Sequence, residues 1–165
     1  MNISIRKASA ADTACITELA YRIWREHYTP IIGAAQVEYM LGRYYNEGAL
    51  IAQMQEGQVF WLPMINDDVI GYLSMSPKEP GAYFMNKYYL DNEKRGRGFG
   101  KIILERVLAQ YPDLKELRLT VNRQNYKTIN FYFRVGFTIE ACADFDIGNG
   151  YEMNDFIMLL KLGGG

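Results

Sequence analysis

From Leu90 to Lys101 the chain reads Leu-Asp-Asn-Glu-Lys-Arg-Gly-Arg-Gly-Phe-Gly-Lys, so Gly96, Gly98 and Gly100 are interleaved with Arg95, Arg97, Phe99 and Lys101. Glycine admits backbone conformations closed to other residues and lets a ligand come close to the main chain. If a helix begins at this point, its first N–H groups lack acceptors inside the helix, and the helix dipole adds partial positive charge. Three basic side chains reinforce that charge, and the whole suits an anion of the diphosphate kind. Two better-known glycine patterns do not fit. A P-loop needs Gly-Lys followed by Ser or Thr, whereas Ile102 follows Gly100-Lys101. A dinucleotide fingerprint spaces its glycines G-x-G-x-x-G early in a βαβ unit, whereas these are spaced G-x-G-x-G past the middle of the chain. A glycine-rich surface turn that binds nothing is the plain alternative.

A second set of polar groups follows at Asn122, Asn125 and Tyr132. Asn125 and Tyr132 are seven residues apart and share one face of a helix. Tyr132 stands between Phe131 and Phe133, so a purely packing role competes with a chemical one.

The elements that must position these groups follow from patterning. Ala82 to Leu90 is rich in Tyr and Phe and reads as a strand running into the glycine turn. Ile102, Ile103, Leu104, Val107, Leu108 and Tyr111 recur at helical spacing, and Pro112 closes that helix. Leu117, Leu119 and Val121 alternate with polar residues as a strand, and Asn125 can cap a helix from Tyr126 to about Val135, with Gly136 at C′. Upstream, Ile3 and Ile5 mark a short strand. Ser9 or Asp12 caps a helix with the stripe Cys15, Ile16, Leu19, Ala20, Ile23 and Trp24, which Thr29-Pro30 ends. A second helical region spans about 34–55, with breaks near Gly42 and Asn46-Glu47-Gly48. Strands over 58–65 and 69–76 flank the turn Asn66-Asp67-Asp68, and Pro63 implies a bulge or a sheet edge. The last strands, 137–143 and 152–161, are separated by a polar loop from Asp144 to Asn154. The order is βααβββαβαββ, one compact α/β domain over 1–162 with a flexible Gly163–Gly165 tail.

The turn resembles the Arg-x-x-Gly-x-Gly acetyl-CoA loop of the GNAT superfamily of N-acetyltransferases, here Arg95, Gly98 and Gly100 after a strand ending at Leu90. Residues 119–137 match a second pattern of that family, Val-x-x-x-Asn-x-x-x-Ile-x-Phe-Tyr-x-x-x-Gly-Phe, in the right order. The Val69-Ile70-Gly71-Tyr72 strand also looks like the family, so the resemblance covers most of the chain. It implies a mixed, twisted sheet of six or seven strands flanked by helices, splayed between its fourth and fifth strands. It implies acetyl-CoA as cofactor, held by Arg95, Gly96, Arg97, Gly98, Phe99, Gly100 and Lys101, by Asn122 and Asn125, and by backbone groups of Tyr88, Tyr89 and Leu90. A main-chain N–H near Leu90 would stabilise the thioester oxyanion. Tyr132 would act as the general acid that protonates the thiolate of coenzyme A.

An attacking alkylamine has a pKa of about 10 and must lose a proton first. Certain members of the family place a Glu near the position of Asn86, which cannot take one. Either a water chain relays the proton or an acid reaches in from elsewhere, and Asp144, Asp146, Glu152 and Asp155 flank the strands that commonly line the acceptor cleft. The helix ending Ile23-Trp24-Arg25-Glu26-His27-Tyr28 commonly borders that cleft, which makes Trp24, His27, Tyr28 and Asn86 substrate-binding candidates. Together with the loop from Phe145 to Gly150, that helix end makes the chain most similar, within the family, to bacterial spermidine/spermine acetyltransferases of the PaiA type. A small-molecule amine, such as a polyamine, is then the acceptor. A protein or peptide N-terminal acetyltransferase, an aminoglycoside-type enzyme and a catalytically silent acyl-CoA binder are the alternatives.

Composition excludes other classes. The formal net charge of −1 argues against a nucleic-acid partner, with basic charge gathered only at 94–101. Hydrophobic residues make up 49% and charged ones 22%, without an apolar run long enough to span a membrane or a signal-peptide layout. Cys15, Cys142 and the single His27 make neither a disulfide framework nor a metal site. A cytoplasmic protein is the expectation. Dimers are common in the family, but the sequence fixes no interface for a homodimer.

Overall fold

The computed structural model describes residues 2–163, so Gly164 and Gly165 of the expected flexible tail lie outside the described residues. Among the described residues, eight strands and six α-helices make a mixed α/β fold. The chain falls into two compact units, 2–76 with 86–112 and 77–85 with 113–163.

In the first unit β1 (Ile3–Lys7) pairs antiparallel with β2 (Val59–Ile65). β2 continues antiparallel to β3 (Asp68–Val69) and β4 (Gly71–Pro77), and β5 (Ala82–Leu90) follows β4 in the strand order. Pro63 sits inside β2 opposite Ile5, not at a sheet edge. Its effect is a bulge. From Trp61 to Met64 the partners run from Leu73 back to Val69, one residue more than on β2, and Ile70 donates its N–H to the Pro63 carbonyl at 2.9 Å. At Gly71, just past the bulge, a Cβ would lie 2.2 Å from the Tyr89 carbonyl oxygen, so only glycine permits this approach to β5.

Helix α1 (Thr13–His27) buries Ile16, Leu19, Ala20, Ile23 and Trp24, the predicted stripe except for Cys15, which is half-buried. Ser9 and Asp12 form a capping box on the 3₁₀ turn that precedes it. α1 ends at His27, as Thr29-Pro30 predicts, but Pro30 does not end helical structure. It occupies the first turn of a short α2 (Thr29–Ile32), where a missing N–H costs nothing. α3 (Ala34–Tyr44) runs through Gly42 without a break. The expected second break is real: Asn46 caps α4 (Glu47–Gln55) by accepting from Ala49 N–H at 2.8 Å. After β5, α5 (Phe99–Leu108) completes the unit and buries Ile103, Leu104 and Val107.

In the second unit the first residues of β5 run parallel to β6 (Glu116–Asn122), and β6 pairs antiparallel with β8 (Tyr151–Lys161). β8 pairs with β7 (Thr138–Gly148). The expected loop from Asp144 to Asn154 is instead strand: pairing continues to Gly148↔Tyr151, and Asn149 and Gly150 turn the chain with φ of 54° and 78°. Asn-Gly in that conformation is the two-residue hairpin turn that a right-handed twist favours. One face of β6, with Leu117, Leu119 and Val121 buried, carries α6 (Tyr126–Val135), which Gly136 stops in the left-handed conformation. Among the described residues no helix is long and apolar enough to cross a membrane.

Candidate active site

Beyond Leu90 the chain makes a 3₁₀ turn over Asn92–Lys94 and enters the glycine turn. Gly96 and Gly98 have φ of 76° and 80°, which explains glycine at both positions. A Cβ at either would meet nothing within 4 Å, so neighbouring atoms do not exclude a side chain here. What remains is open space beside the first turn of α5. Gly98 is the N-cap and offers no side-chain acceptor, so the opening N–H groups of α5 are not consumed by a cap. Arg97 and Lys101 are exposed on the same turn. Empty space, uncapped donors and mobile cations fit the diphosphate of acetyl-CoA.

Two of the residues expected to touch the cofactor also brace this turn. The Tyr88 hydroxyl donates to the Gly100 carbonyl at 2.6 Å, and Tyr88 and Phe99 pack on Ile65, Ile70, Leu90 and Ile103. Arg95 turns back into the protein, with Nε 3.3 Å from the Leu90 carbonyl oxygen and Nη1 3.2 Å from Nδ1 of His27. α1 grips the same loop twice more, through Arg22 to Asp91 at 2.7 Å and through Glu26 to the Asn92 amide. The structure thus puts His27 at the glycine loop.

Trp24, Tyr28 and Tyr89 come together, with ring centroids 4.7–6.0 Å apart. Tyr45 and Tyr72, which sequence reasoning missed, complete the cluster. Trp24 Nε1 donates to the Tyr72 hydroxyl at 3.1 Å, and Tyr72 donates to Tyr45 at 2.9 Å. Burial keeps both phenols neutral, raising their pKa well above the ordinary value. Lys87 was missed too. Its ammonium lies over the Tyr45 and Phe60 rings and 3.3 Å from Gln58 Oε1, and desolvation lowers its pKa to about 8. Nothing in the sequence distinguishes this lysine from an exposed one. Asn86 donates to the Ser76 hydroxyl at 2.7 Å.

The remaining expected residues belong to the second unit. Asn122 ends β6, and its side-chain oxygen accepts from Gln124 N–H at 2.8 Å, shaping the turn into α6. Asn125 occupies the N-cap of α6 and is 2% exposed, yet its side chain does not cap the helix. Tyr132 is held by rings of Phe131 and Phe137 at 5.3 and 5.2 Å, and its carbonyl accepts from Gly136 and Phe137.

Of the four acids near the last strands, Asp144, Asp146 and Glu152 are exposed and Asp155 is only 4% exposed. Burial pushes the Asp155 carboxyl up to about 6, against the opposing pull of Arg123 and a hydrogen bond from Thr120. Arg123 also donates to Asp144 at 2.8 Å and to the Asp155 carbonyl at 3.3 Å.

Residues 18–137 match the model of the acetyltransferase (GNAT) family. The chain is 26% identical to a spermidine N(1)-acetyltransferase of Thermoplasma acidophilum over 162 residues, covering 92% of this chain and 99% of the relative. A shorter likeness, 31% over 88 residues, joins it to the peptidyl-lysine N-acetyltransferase YjaB of Escherichia coli, spanning 53% of this chain and 54% of that one. Among solved structures, the PaiA N-acetyltransferase of Thermoplasma acidophilum in complex with coenzyme A superimposes with a TM-score of 0.78 at 27% identity, over 98% of this chain and 99% of that one.

Proposed function

The chain belongs to the GNAT acetyltransferase family and is an acetyl-CoA-dependent N-acetyltransferase, and from that premise we propose that its acceptor is a primary amine of a polyamine, with Tyr132 as general acid. The observation that carries the choice of acceptor is the likeness to a spermidine N(1)-acetyltransferase along nearly the whole of both chains. Acetyl-CoA, when bound, supplies the acetyl group already activated as a thioester. Main-chain N–H groups of Gly98 to Lys101 would hold the diphosphate, with Arg97 and Lys101 balancing its charge. Asn122, Asn125 and the backbone of Tyr88 to Leu90 would align the pantetheine arm, and an N–H there would meet the oxyanion. Tyr132 gives its phenolic proton to the departing sulfur. A phenol and a thiol, at about 10 and about 8.5, are close enough in pKa for that transfer to be fast.

A lysine side chain is also a primary alkylamine, and the partial likeness to YjaB favours a lysine-containing peptide as the second reading. Both are tested by thiol release from acetyl-CoA in the presence of spermidine, propylamine and a lysine peptide. The expected result is turnover with spermidine at the highest kcat/KM. Preference for the peptide would move the acceptor to protein lysines, and silence with every amine would leave a binding module. Tyr132→Phe should lower kcat by about 10²–10⁴-fold with acetyl-CoA affinity kept; an unchanged kcat would remove Tyr132 from the chemistry.

A further inference from the structure

Resting on the reading of this chain as an amine acetyltransferase, we propose that Thr120 and Asp155 form the proton-accepting pair that deprotonates the acceptor amine. Thr120 and Asp155 share one face of the sheet. β6 and β8 pair with Asn122 opposite Asp155 and Thr120 opposite Ile157, and directly opposed residues project from the same face. The Thr120 hydroxyl donates to the Asp155 carboxylate. Tyr132 lies on the other side. Its helix packs on the face of Leu117 and Leu160, where a Cβ on Gly136 would meet the Leu160 side chain at 3.3 Å. The base for the incoming amine and the acid for the departing sulfur would thus act from different faces of the sheet.

The relay balances without a co-reactant. The ammonium N–H proton passes to Thr120 Oγ1 as the hydroxyl proton passes to Asp155 Oδ, leaving a neutral amine, an intact hydroxyl and a carboxylic acid. Thr120 is half-buried and Asp155 buried, so the hydroxyl is the member that meets the substrate. Arg123 and Asp144 are the charged groups facing the carboxyl; the first favours its ionised form and the second opposes it. With burial outweighing both, it titrates near 6 and stays ionised at neutral pH while remaining a better acceptor than an exposed aspartate.

Asp155→Asn and Thr120→Val are assayed against two acceptors, propylamine, a cation at pH 7, and trifluoroethylamine, which is already neutral there. The expected result is a loss of about 10²-fold or more in kcat/KM with propylamine, against less than about threefold with trifluoroethylamine. The wild-type limb near pH 6 in the kcat/KM profile should disappear in Asp155→Asn. Thr120→Ser, which keeps the hydroxyl, should restore propylamine turnover. Equal losses with both amines would show a structural role and overturn the relay, as would no loss with either. If Asp155→Asn fails to fold, the contrast between Thr120→Val and Thr120→Ser decides alone. A wild-type chain silent with every amine would instead indict the enzymatic reading.

Discussion

The guanidinium of Arg95 lies 3.2 Å from Nδ1 of His27, and because a guanidinium only donates, the imidazole must accept there and carry its proton on Nε2. Arg95 also donates to the Leu90 carbonyl, so this one side chain ties the end of α1 to the start of the glycine turn. His27→Gln, which retains an acceptor, should bind acetyl-CoA like the wild type. His27→Lys opposes two cations and should weaken acetyl-CoA binding by about 3–10-fold, the worth of one hydrogen bond. Equal dissociation constants for the three proteins, measured by calorimetry, would show that the contact does not hold the loop.

Gly71 fixes how near β4 comes to β5. Alanine there would place its methyl 2.2 Å from the Tyr89 carbonyl oxygen and 3.0 Å from Leu90 Cα, both backbone atoms that no side-chain rotation can move. Gly71→Ala should therefore destabilise the fold by at least about 2 kcal/mol, near the upper range of core overpacking. Urea unfolding with an unchanged midpoint would contradict this packing.

Lys87 makes stability rise with pH in an unusual window. Its pKa is about 8 folded and 10.5 in the ordinary state, so between those values the unfolded chain binds more protons than the folded one. Stability then increases with pH from about 8 to 10.5, with a slope of at most about 1.4 kcal/mol per pH unit. The contribution is lost as pH falls through the folded value. Lys87→Met should remove this rise, and subtracting its unfolding curves from those of the wild type cancels the tyrosines that titrate in the same range. Parallel curves for the two proteins would place Lys87 in water.

Local chemistry made part of this legible in the sequence. Gly96, Gly98 and Gly136 sit at positive φ, a demand of the backbone alone, and the turn into α5 and the end of α6 fall where those glycines predict. Pro63 announced a bulge for the same reason. Gly42 misled because an interior helical glycine costs only about 1 kcal/mol, which tertiary packing easily offsets. Asp144 to Asn154 misled because its acids and the run Gly148-Asn149-Gly150 weigh towards a loop, although Phe145, Ile147, Tyr151 and Met153 alternate with polar residues around an Asn-Gly turn. Tyr45, Tyr72, Lys87 and the burial of Asp155 were out of reach, since each depends on which residues other elements bring alongside.

The central claim is that main-chain donors at the start of α5 hold the cofactor's diphosphate. Amide chemical shifts of Gly96 to Lys101, followed by NMR as coenzyme A is added, test it most directly. The expected result is large downfield shifts of these amides, saturating with the binding isotherm. They should be absent with pantetheine, which lacks the diphosphate, and lost in Gly98→Val, whose branched side chain cannot adopt φ near 80° without strain. Coenzyme A binding with these six amides unmoved would contradict the claim.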